Sequence, residues 1–174
     1  MSIKIKNLIL SFILIESHIR FYIKISRNFY YLVPFFGRWI SFFLDWLLLL
    51  FYGVDLKSFS IDVKKLCISH PNGVLLGGNG IKSKGRVVIN SGVKFGGVSP
   101  VNELYLKKHK EVSVFELGNN VIFGMGTCVI GPIKICDDVI IGSMSLVNKN
   151  ITESGVYVGI PVRKIAEYDP KLWP

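Results

Sequence analysis

The pattern of hydrophobic and polar positions changes near Gly53 of this 174-residue chain. Before Gly53, two apolar runs, "LILSFILI" and "WISFFLDWLLLLFYG", stand among lysines and arginines. Both are shorter than the roughly 20 residues that span a bilayer, and the second contains Asp45. The first run ends at Glu16 with no small-residue cleavage site, so we expect no export signal. Residues 1–52 are therefore predicted to form a helical segment.

After Gly53, apolar residues recur at every sixth position. One series is apolar throughout: Leu117, Phe123, Val129, Ile135, Ile141 and Val147. A second series, four residues further along, is small or β-branched: Val121, Thr127, Ile133, Val139, Ser145 and Ile151. A period of six fits neither a helix nor simple strand alternation, but it fits a chain that turns a corner every six residues. This pattern predicts a parallel β-helix, and glycines that follow the first series, such as Gly118, are expected to adopt the corner conformation.

The repeat is interrupted once. Ile89 and Phe95 keep the spacing, but the lysine-rich stretch at 98–113 does not. We expect this stretch to protrude as a loop, and long loops in compact domains are often functional. The β-helix domain is predicted over residues 53–166, followed by a tail over 167–174.

Charge and composition narrow the choice of partners. The net charge is +9, half of the residues are hydrophobic and only 19% are charged. A basic chain favours an anionic partner, but no nucleic-acid recognition motif is present, so nucleic acid is not expected. Residues 1–50 contain six Lys/Arg against Glu16 and Asp45. The helical segment is expected to lie on an anionic membrane surface or to mediate oligomerisation, and the sequence leaves both open.

The cysteines and the predicted coil faces indicate location and assembly. Cys67, Cys128 and Cys136 are odd in number and lie in apolar runs, as expected of reduced thiols in a cytoplasmic protein. A single coil stack has flat apolar sides. We therefore expect a homotrimer with active sites between subunits.

His70 is the main candidate for chemistry. It is one of three histidines, in the stretch "ISHPNGVLLGG", and Asp55 precedes it by fifteen residues, close to one eighteen-residue coil of three faces. A hydroxyl is a poor nucleophile at neutral pH, so an imidazole positioned as a general base must take its proton. A carboxylate on the other ring nitrogen fixes the tautomer and stabilises the imidazolium.

Several stretches resemble the serine acetyltransferases and, more broadly, the left-handed β-helix hexapeptide acyltransferases. They are "YGVDLKSFSIDVKKLCISHPNGVLLGG", "VKFGG", "ELGNNVIFGMGTCVIGPIKICDDVIIGSMSLV" and "GVYVGIPVRKI", within residues 50–166. The resemblance implies a left-handed β-helix, acetyl-CoA as acetyl donor and no metal. It implies that His70 is the catalytic base and that Asp55 orients it.

The same resemblance implies a binding path for coenzyme A. Gly96 and Gly97 match the corner whose backbone N–H groups face the thioester. Positions along the pantetheine arm are matched by Gly124, Gly126, Gly142 and Ser143. Arg163 and Lys164 match the segment near the nucleotide phosphates, although simple solvation of these two side chains is an equal alternative.

One departure from the family bears on the acceptor. Serine-specific members carry a second histidine in an Asp-Arg-His-Pro stretch, where this chain has Ser113, Val114 and Phe115. His109 lies nearby but out of register, and it is interpreted as a solvated loop residue. We therefore predict transfer to a sugar hydroxyl in surface-polysaccharide biosynthesis, either in the cytoplasm or at the inner face of the cytoplasmic membrane. Serine O-acetylation in cysteine biosynthesis is the alternative.

Three other interpretations fit the sequence less well. A zinc hydratase like the γ-class carbonic anhydrases needs three converging histidines, which His18, His70 and His109 are not expected to provide. A non-catalytic β-helix assembly subunit gives no reason to pair Asp55 with His70. Cys67 is a rival nucleophile, but strand alternation predicts that it points away from His70.

Overall fold

The computed structural model describes residues 15–33, 35–97 and 114–171. Two helices, α1 (Ile15–Leu32) and α2 (Gly37–Tyr52), pack against each other ahead of the strands. Helix α2 ends at Gly53, whose φ of 65° places it in the left-handed region and whose N–H donates to the carbonyl of Leu49 at 3.0 Å. Neither described helix combines the length and the hydropathy needed to cross a membrane.

The described residues contain thirteen short strands after the helices, with a 3₁₀ turn at Ser58–Ser60 between the first two. They are β1 (Val54–Leu56), β2 (Ile61–Ile68), β3 (Val74–Leu76), β4 (Ile81–Ile89), β5 (Lys94–Gly97), β6 (Phe115–Leu117), β7 (Val121–Phe123), β8 (Cys128–Gly131), β9 (Lys134–Ile135), β10 (Val139–Ile141), β11 (Leu146–Val147), β12 (Gly155–Gly159) and β13 (Val162–Ala166).

The strands form the three faces of a prism. Face 1 contains β1, β3, β5, β8 and β11 in that order. Face 2 contains the first halves of β2 and β4, followed by β6 and β9. Face 3 contains the second halves of β2 and β4, followed by β7, β10 and β12. All of these ladders are parallel, so each coil stacks on the one before it and the predicted left-handed β-helix class is confirmed.

The coil length matches the sixfold period. Val121 pairs with Val139 and Cys128 with Leu146, a step of 18 residues in both cases. Val87 pairs with Val121 across a longer step of 34 residues, which contains the stretch 98–113. That stretch and His109 lie outside the described residues.

The two predicted inward series form the core. All twelve positions are buried, with at most 5% of each residue exposed. Phe95, Phe115 and Phe123 come from the three different faces and meet at the prism axis. The ring centroid of Phe95 is 5.1 Å from that of Phe115 and 5.0 Å from that of Phe123, in edge-to-face geometry.

The glycines have a different role from the one predicted. Positive φ angles occur two residues later, at Asn120, Gly126, Asp138 and Met144. Gly118, Gly124 and Gly142 instead lie where successive coils approach closely. A Cβ on Gly124 would stand 2.5 Å from the backbone nitrogen of Ser143. These glycines are therefore needed for space between coils.

The β-helix ends in a hairpin that the sixfold pattern does not predict. Strand β13 turns back and pairs antiparallel with β12, with Val158 opposite Arg163. The segment "VGIPVRKI" therefore closes the stack and does not begin another coil.

Helix α2 is joined to the β-helix through a buried carboxylate. Asp45 accepts hydrogen bonds from the hydroxyl of Ser26 on α1, at 2.8 Å, and from both the N–H and the hydroxyl of Ser58. Ser26 and Ser58 are fully buried and Asp45 is 7% exposed. Burial raises the pKa of the Asp45 carboxyl, and the hydrogen bonds from Ser58 and Ser26 oppose that shift.

Candidate active site

His70 stands on the corner between faces 3 and 1, and its side chain is exposed. Six residues separate Ile68 from Leu75, whereas four separate their register partners Ile89 and Lys94 one coil later. The corner that carries His70 therefore has two extra residues. The turn after it is fixed by a hydrogen bond from the N–H of Val74 to the carbonyl of Pro71, at 3.1 Å.

A shallow cavity adjoins the imidazole of His70. Its other walls are the C-terminal end of α2, the start of α1 and the turn that follows His70. The lining residues are Ile15, Leu49, Leu50, Phe51, Tyr52, Gly53, Pro71 and Asn72. The sequence did not lead us to predict this apolar wall. One feature could have indicated it: the second apolar run ends at Gly53, only two residues before Asp55.

Asp55 lies one coil before His70. It is exposed on the outer surface of face 1, between the inward-pointing Val54 and Leu56, and it pairs in register with Leu75. The expected placement on successive coils therefore agrees with the geometry.

The expected contact between these two side chains is not made. Among the described residues, no hydrogen bond or ion pair joins the Asp55 carboxylate to the His70 imidazole. Both side chains are exposed, and an ion pair in water gains little over separate solvation. The single chain therefore does not fix their rotamers, and the orienting role of Asp55 stays a prediction.

Gly96 and Gly97 lie at the far edge of face 1 from His70. His70 precedes β3, whereas the two glycines end β5, which runs parallel to β3. Three residue steps from Val74 to Gly77, at about 3.3 Å each, already span roughly 10 Å. One chain therefore does not bring Gly96 or Gly97 beside its own His70, and a site that uses both edges needs two subunits.

Within the described part of the chain, packing does not require glycine at position 96. A Cβ built on Gly96 meets no described atom within 4 Å, whereas Cβ atoms on Gly77 and Gly124 would meet backbone at 2.8 and 2.5 Å. Its missing side chain therefore leaves open surface on face 1, which suits close approach by a ligand.

The backbone N–H groups at the other glycines predicted to bind coenzyme A are already used between coils. Gly124 donates to Ile141, Gly142 to Tyr157 and Gly126 to Ser91. The side chain of Ser143 is exposed beside them. These positions offer a smooth backbone surface and one hydroxyl, and their N–H groups are not available to a ligand.

Arg163 and Lys164 differ in whether an acidic side chain of the described chain already pairs with them. The Lys164 ammonium lies 2.8 Å from a Glu167 carboxylate oxygen and 3.6 Å from one of Glu153. The hydrogen bond that the Lys164 ammonium donates to the Glu167 carboxylate raises the pKa of Lys164. Arg163 is exposed and makes no ion pair with any residue of the described chain. Arg163 is therefore the better candidate for a phosphate, and Lys164 is engaged within the hairpin.

Cys67 is half-buried among apolar side chains on β2, the strand that precedes the His70 corner. It packs on the outer surface of face 3 with Val88, Ile122 and Ile140. Burial raises the pKa of the Cys67 thiol, which disfavours the nucleophilic thiolate. Strand β2 ends at Ile68, so strand alternation does not extend to His70, and the opposite orientation of Cys67 and His70 stays a prediction.

The remaining described histidine, His18, lies on α1, whose first residue, Ile15, lines the His70 cavity. Its Nδ1 is 3.2 Å from the hydroxyl oxygen of Tyr52. No group of three His, Cys, Asp or Glu side chains with metal-binding geometry occurs within residues 15–33, 35–97 and 114–171.

The fold and this site define a hexapeptide-repeat left-handed β-helix protein with an exposed histidine on a protruding corner. Comparison with known proteins narrows the class. The chain is 35% identical over 118 residues to a serine acetyltransferase of Mycobacterium tuberculosis, covering 68% of this chain and 48% of that protein. A serine acetyltransferase of Staphylococcus aureus is 32% identical over 111 residues, covering 64% of this chain and 48% of that protein. No protein-family model matches.

Solved structures agree on the fold. Serine acetyltransferase from Brucella abortus in complex with coenzyme A has a TM-score of 0.74 at 18% identity, covering 90% of this chain and 58% of that chain. The protein is thus a serine acetyltransferase-like hexapeptide-repeat protein, as the sequence resemblance predicts. It spans about half the length of the curated relatives that it matches.

Proposed function

We propose that the protein is an acetyl-CoA-dependent O-acetyltransferase that moves the acetyl group directly to an acceptor hydroxyl. The observation that carries the proposal is the exposed His70 on its extended corner, in a β-helix similar to those of the serine acetyltransferases. The open surface at Gly96 gives further support, because packing within the described chain does not require glycine there.

In the proposed reaction, the His70 imidazole takes the proton of the acceptor hydroxyl as the oxygen attacks the thioester carbonyl carbon. The carbon–sulfur bond then breaks, and the proton held on His70 passes to the departing thiolate. A backbone N–H at Gly96 or Gly97 would stabilise the oxyanion of the tetrahedral intermediate. The carboxylate of Asp55 would orient the imidazole and stabilise its cationic form.

This reaction needs more than one copy of the chain. His70 and Gly96 lie on opposite edges of face 1, so both can act on one substrate only if two copies each contribute an edge. We infer a homotrimer with the sites between subunits, as expected for a three-sided coil stack. Analytical ultracentrifugation that shows a stable monomer at micromolar concentration would contradict the shared site.

The comparisons favour serine as the acceptor over the sugar hydroxyl predicted first. The two relatives described above, which match 68% and 64% of the chain, are serine acetyltransferases, and they give no support to polysaccharide biosynthesis. A sugar hydroxyl is the second candidate because of one observation: where the family has its second histidine stretch, the chain has Val114 and the fully buried Phe115.

A side-by-side assay tests the function and the acceptor together. Release of free thiol from acetyl-CoA is followed with L-serine and with lipid-linked oligosaccharide, using His70→Ala as the control for background hydrolysis. Serine-dependent release supports serine O-acetylation, and release with the oligosaccharide alone supports the second candidate. No release above the His70→Ala background with either would favour a non-catalytic assembly subunit.

We place this activity in the cytoplasm. Three reduced cysteines without a disulfide fit a reducing compartment, and acetyl-CoA is the predicted donor.

A further inference from the structure

Helix α2 buries small and polar residues and exposes large apolar ones, the reverse of the usual arrangement in a surface helix. The residues it buries are Gly37, Ser41, Asp45 and Leu48. The opposite face exposes large apolar side chains at helical spacing: Trp39 is 74% exposed, Phe43 56%, Trp46 53% and Leu50 58%. These four residues, called the aromatic ridge below, stand at positions i, i+4, i+7 and i+11, and so form one stripe roughly 17 Å long.

The inversion is fixed by the interior of the protein. Ser41 and Asp45 are held by Ser26 of α1, and Asp45 is also held by Ser58 at the start of the β-helix. Rotating α2 to bury its tryptophans would break these buried hydrogen bonds and move a carboxylate. The aromatic ridge is therefore a stable surface feature of the described chain.

The side chains around the aromatic ridge extend the apolar surface. Phe42 on α2 is 48% exposed, and Phe35 and Phe36 in the turn before the helix are 83% and 68% exposed. The rings of Phe43 and Trp46 are stacked with centroids 5.9 Å apart. Contiguous exposed apolar surface of this kind marks an interaction site in a protein that stays folded in water.

The exposed charge on the two helices has one sign. Arg20 and Lys24 on α1 and Arg38 on α2 are exposed cations, and the Arg38 guanidinium lies 5.6 Å from the centroid of the Tyr30 ring. The two acidic residues of the helices are partly or fully withdrawn from solvent, Asp45 in the serine network and Glu16 half-buried. Residues 1–14, outside the described part, add Lys4 and Lys6 and no acid.

We propose that the aromatic ridge docks the protein on an anionic lipid surface, with α2 lying in the plane of the interface. Tryptophan favours the headgroup level of a bilayer, and the exposed Arg38, which directly precedes Trp39, is a cation that anionic lipids attract. A second copy fits the charge less well, because apposed copies would bring like cations together. The proposed contact is peripheral, because α2 buries the opposite face, with Ser41 and Asp45, against the rest of the protein.

Docking of the aromatic ridge would also determine where the His70 cavity lies relative to the membrane. Leu49, Leu50 and Phe51 at the C-terminal end of α2 form one wall of the His70 cavity, so docking places that cavity close to the lipid headgroups. The docking does not depend on the proposed acetyl transfer, since lipid binding requires neither acetyl-CoA nor His70.

Vesicle co-sedimentation of the full chain tests the proposal. Vesicles of phosphatidylcholine alone are compared with an equal mixture of phosphatidylcholine and phosphatidylglycerol. Trp39→Glu/Trp46→Glu alters the aromatic ridge, and Ile160→Glu/Ile165→Glu is the matched control, with residues 74% and 63% exposed on the β12–β13 hairpin. Circular dichroism establishes that each variant is folded.

We expect the wild type and the hairpin variant to bind the anionic vesicles, with affinity falling as salt is raised. The ridge variant is expected to lose at least about tenfold in affinity for the vesicles. The reason is that two aromatic anchors are replaced by glutamates, which carry the same negative charge as the lipid. Equal binding by the ridge variant, or no binding by the wild type, overturns the proposal. A loss of oligomer mass in the ridge variant without any vesicle binding by the wild type would assign the ridge to a second copy instead.

Discussion

Replacing Asp45 by alanine tests how the helices are attached to the β-helix. The carboxylate accepts three hydrogen bonds, two from Ser58 and one from Ser26. The Ser26 hydroxyl keeps another partner, because it also lies 3.1 Å from the carbonyl oxygen of Ser41. Ser58 is fully buried, and its N–H and its hydroxyl both lose this acceptor.

The magnitude follows from those two orphaned donors. Each buried unsatisfied donor costs about 1–3 kcal/mol, so Asp45→Ala is expected to lower the free energy of unfolding by roughly 2–4 kcal/mol after relief of the carboxylate's desolvation. Asp45→Asn keeps one acceptor oxygen and is expected to cost less. Asp62→Ala is the control, since it removes an exposed carboxylate 2.9 Å from Arg27 and is expected to cost at most about 1 kcal/mol.

The pH dependence has a definite sign. Burial raises the pKa of Asp45, so the folded chain binds this proton more readily than the unfolded chain. The charged carboxylate therefore destabilises the fold above its folded pKa, and this penalty fades as the pH falls toward 3.8, the ordinary value. The wild type should gain stability relative to Asp45→Asn as the pH is lowered from neutral.

Urea unfolding followed by circular dichroism measures both effects. The reasoning is refuted if Asp45→Ala is no less stable than Asp62→Ala. An increase in the wild-type advantage over Asp45→Asn as the pH rises would refute the assigned pKa direction.

Three further predictions concern the site. Gly124→Ala should lower the free energy of unfolding by about 1–3 kcal/mol because its Cβ would meet the backbone of the next coil, whereas Gly96→Ala should leave urea unfolding unchanged and slow acetyl transfer. Arg163→Ala should weaken coenzyme A binding in calorimetry more than Lys164→Ala, since Lys164 is already paired with Glu167 and Glu153; equal losses would contradict this. Asp55→Asn should slow transfer less than His70→Ala, and a larger loss would mean that Asp55 has a role beyond orienting the imidazole.

The core of the β-helix could be predicted from the sequence because two inward positions recur on every six-residue face, a period that fits neither a helix nor simple strand alternation. Both inward series are buried at every sixth position, one from Leu117 to Val147 and the other from Val121 to Ile151. The predicted role of the glycines was wrong because the period alone does not show whether a glycine relieves backbone strain at a corner or crowding between coils. Only the stacked coils show that Gly124 faces the backbone of Ser143.

The site was less accessible to sequence reasoning. The extra residues at the His70 corner do not follow the sixfold count, and the wall from α2 belongs to a different element. The pairing of Lys164 depends on a hairpin that brings Glu153 and Glu167 to one place. Gly37, Ser41 and Asp45 recur at a spacing of four in the sequence and form the buried face of α2. The sequence did not predict this face, because large apolar residues stand at most of the other positions of the helix.

The most direct test of the account is acetyl transfer by His70→Ala, measured beside Cys67→Ala and combined with a coenzyme A binding measurement. Removing a general base typically lowers the rate about 100- to 10,000-fold. The account predicts that His70→Ala loses transfer to this extent while binding coenzyme A like the wild type, and that Cys67→Ala transfers at nearly the wild-type rate. An active His70→Ala together with an inactive Cys67→Ala would contradict direct transfer and assign the chemistry to the thiol.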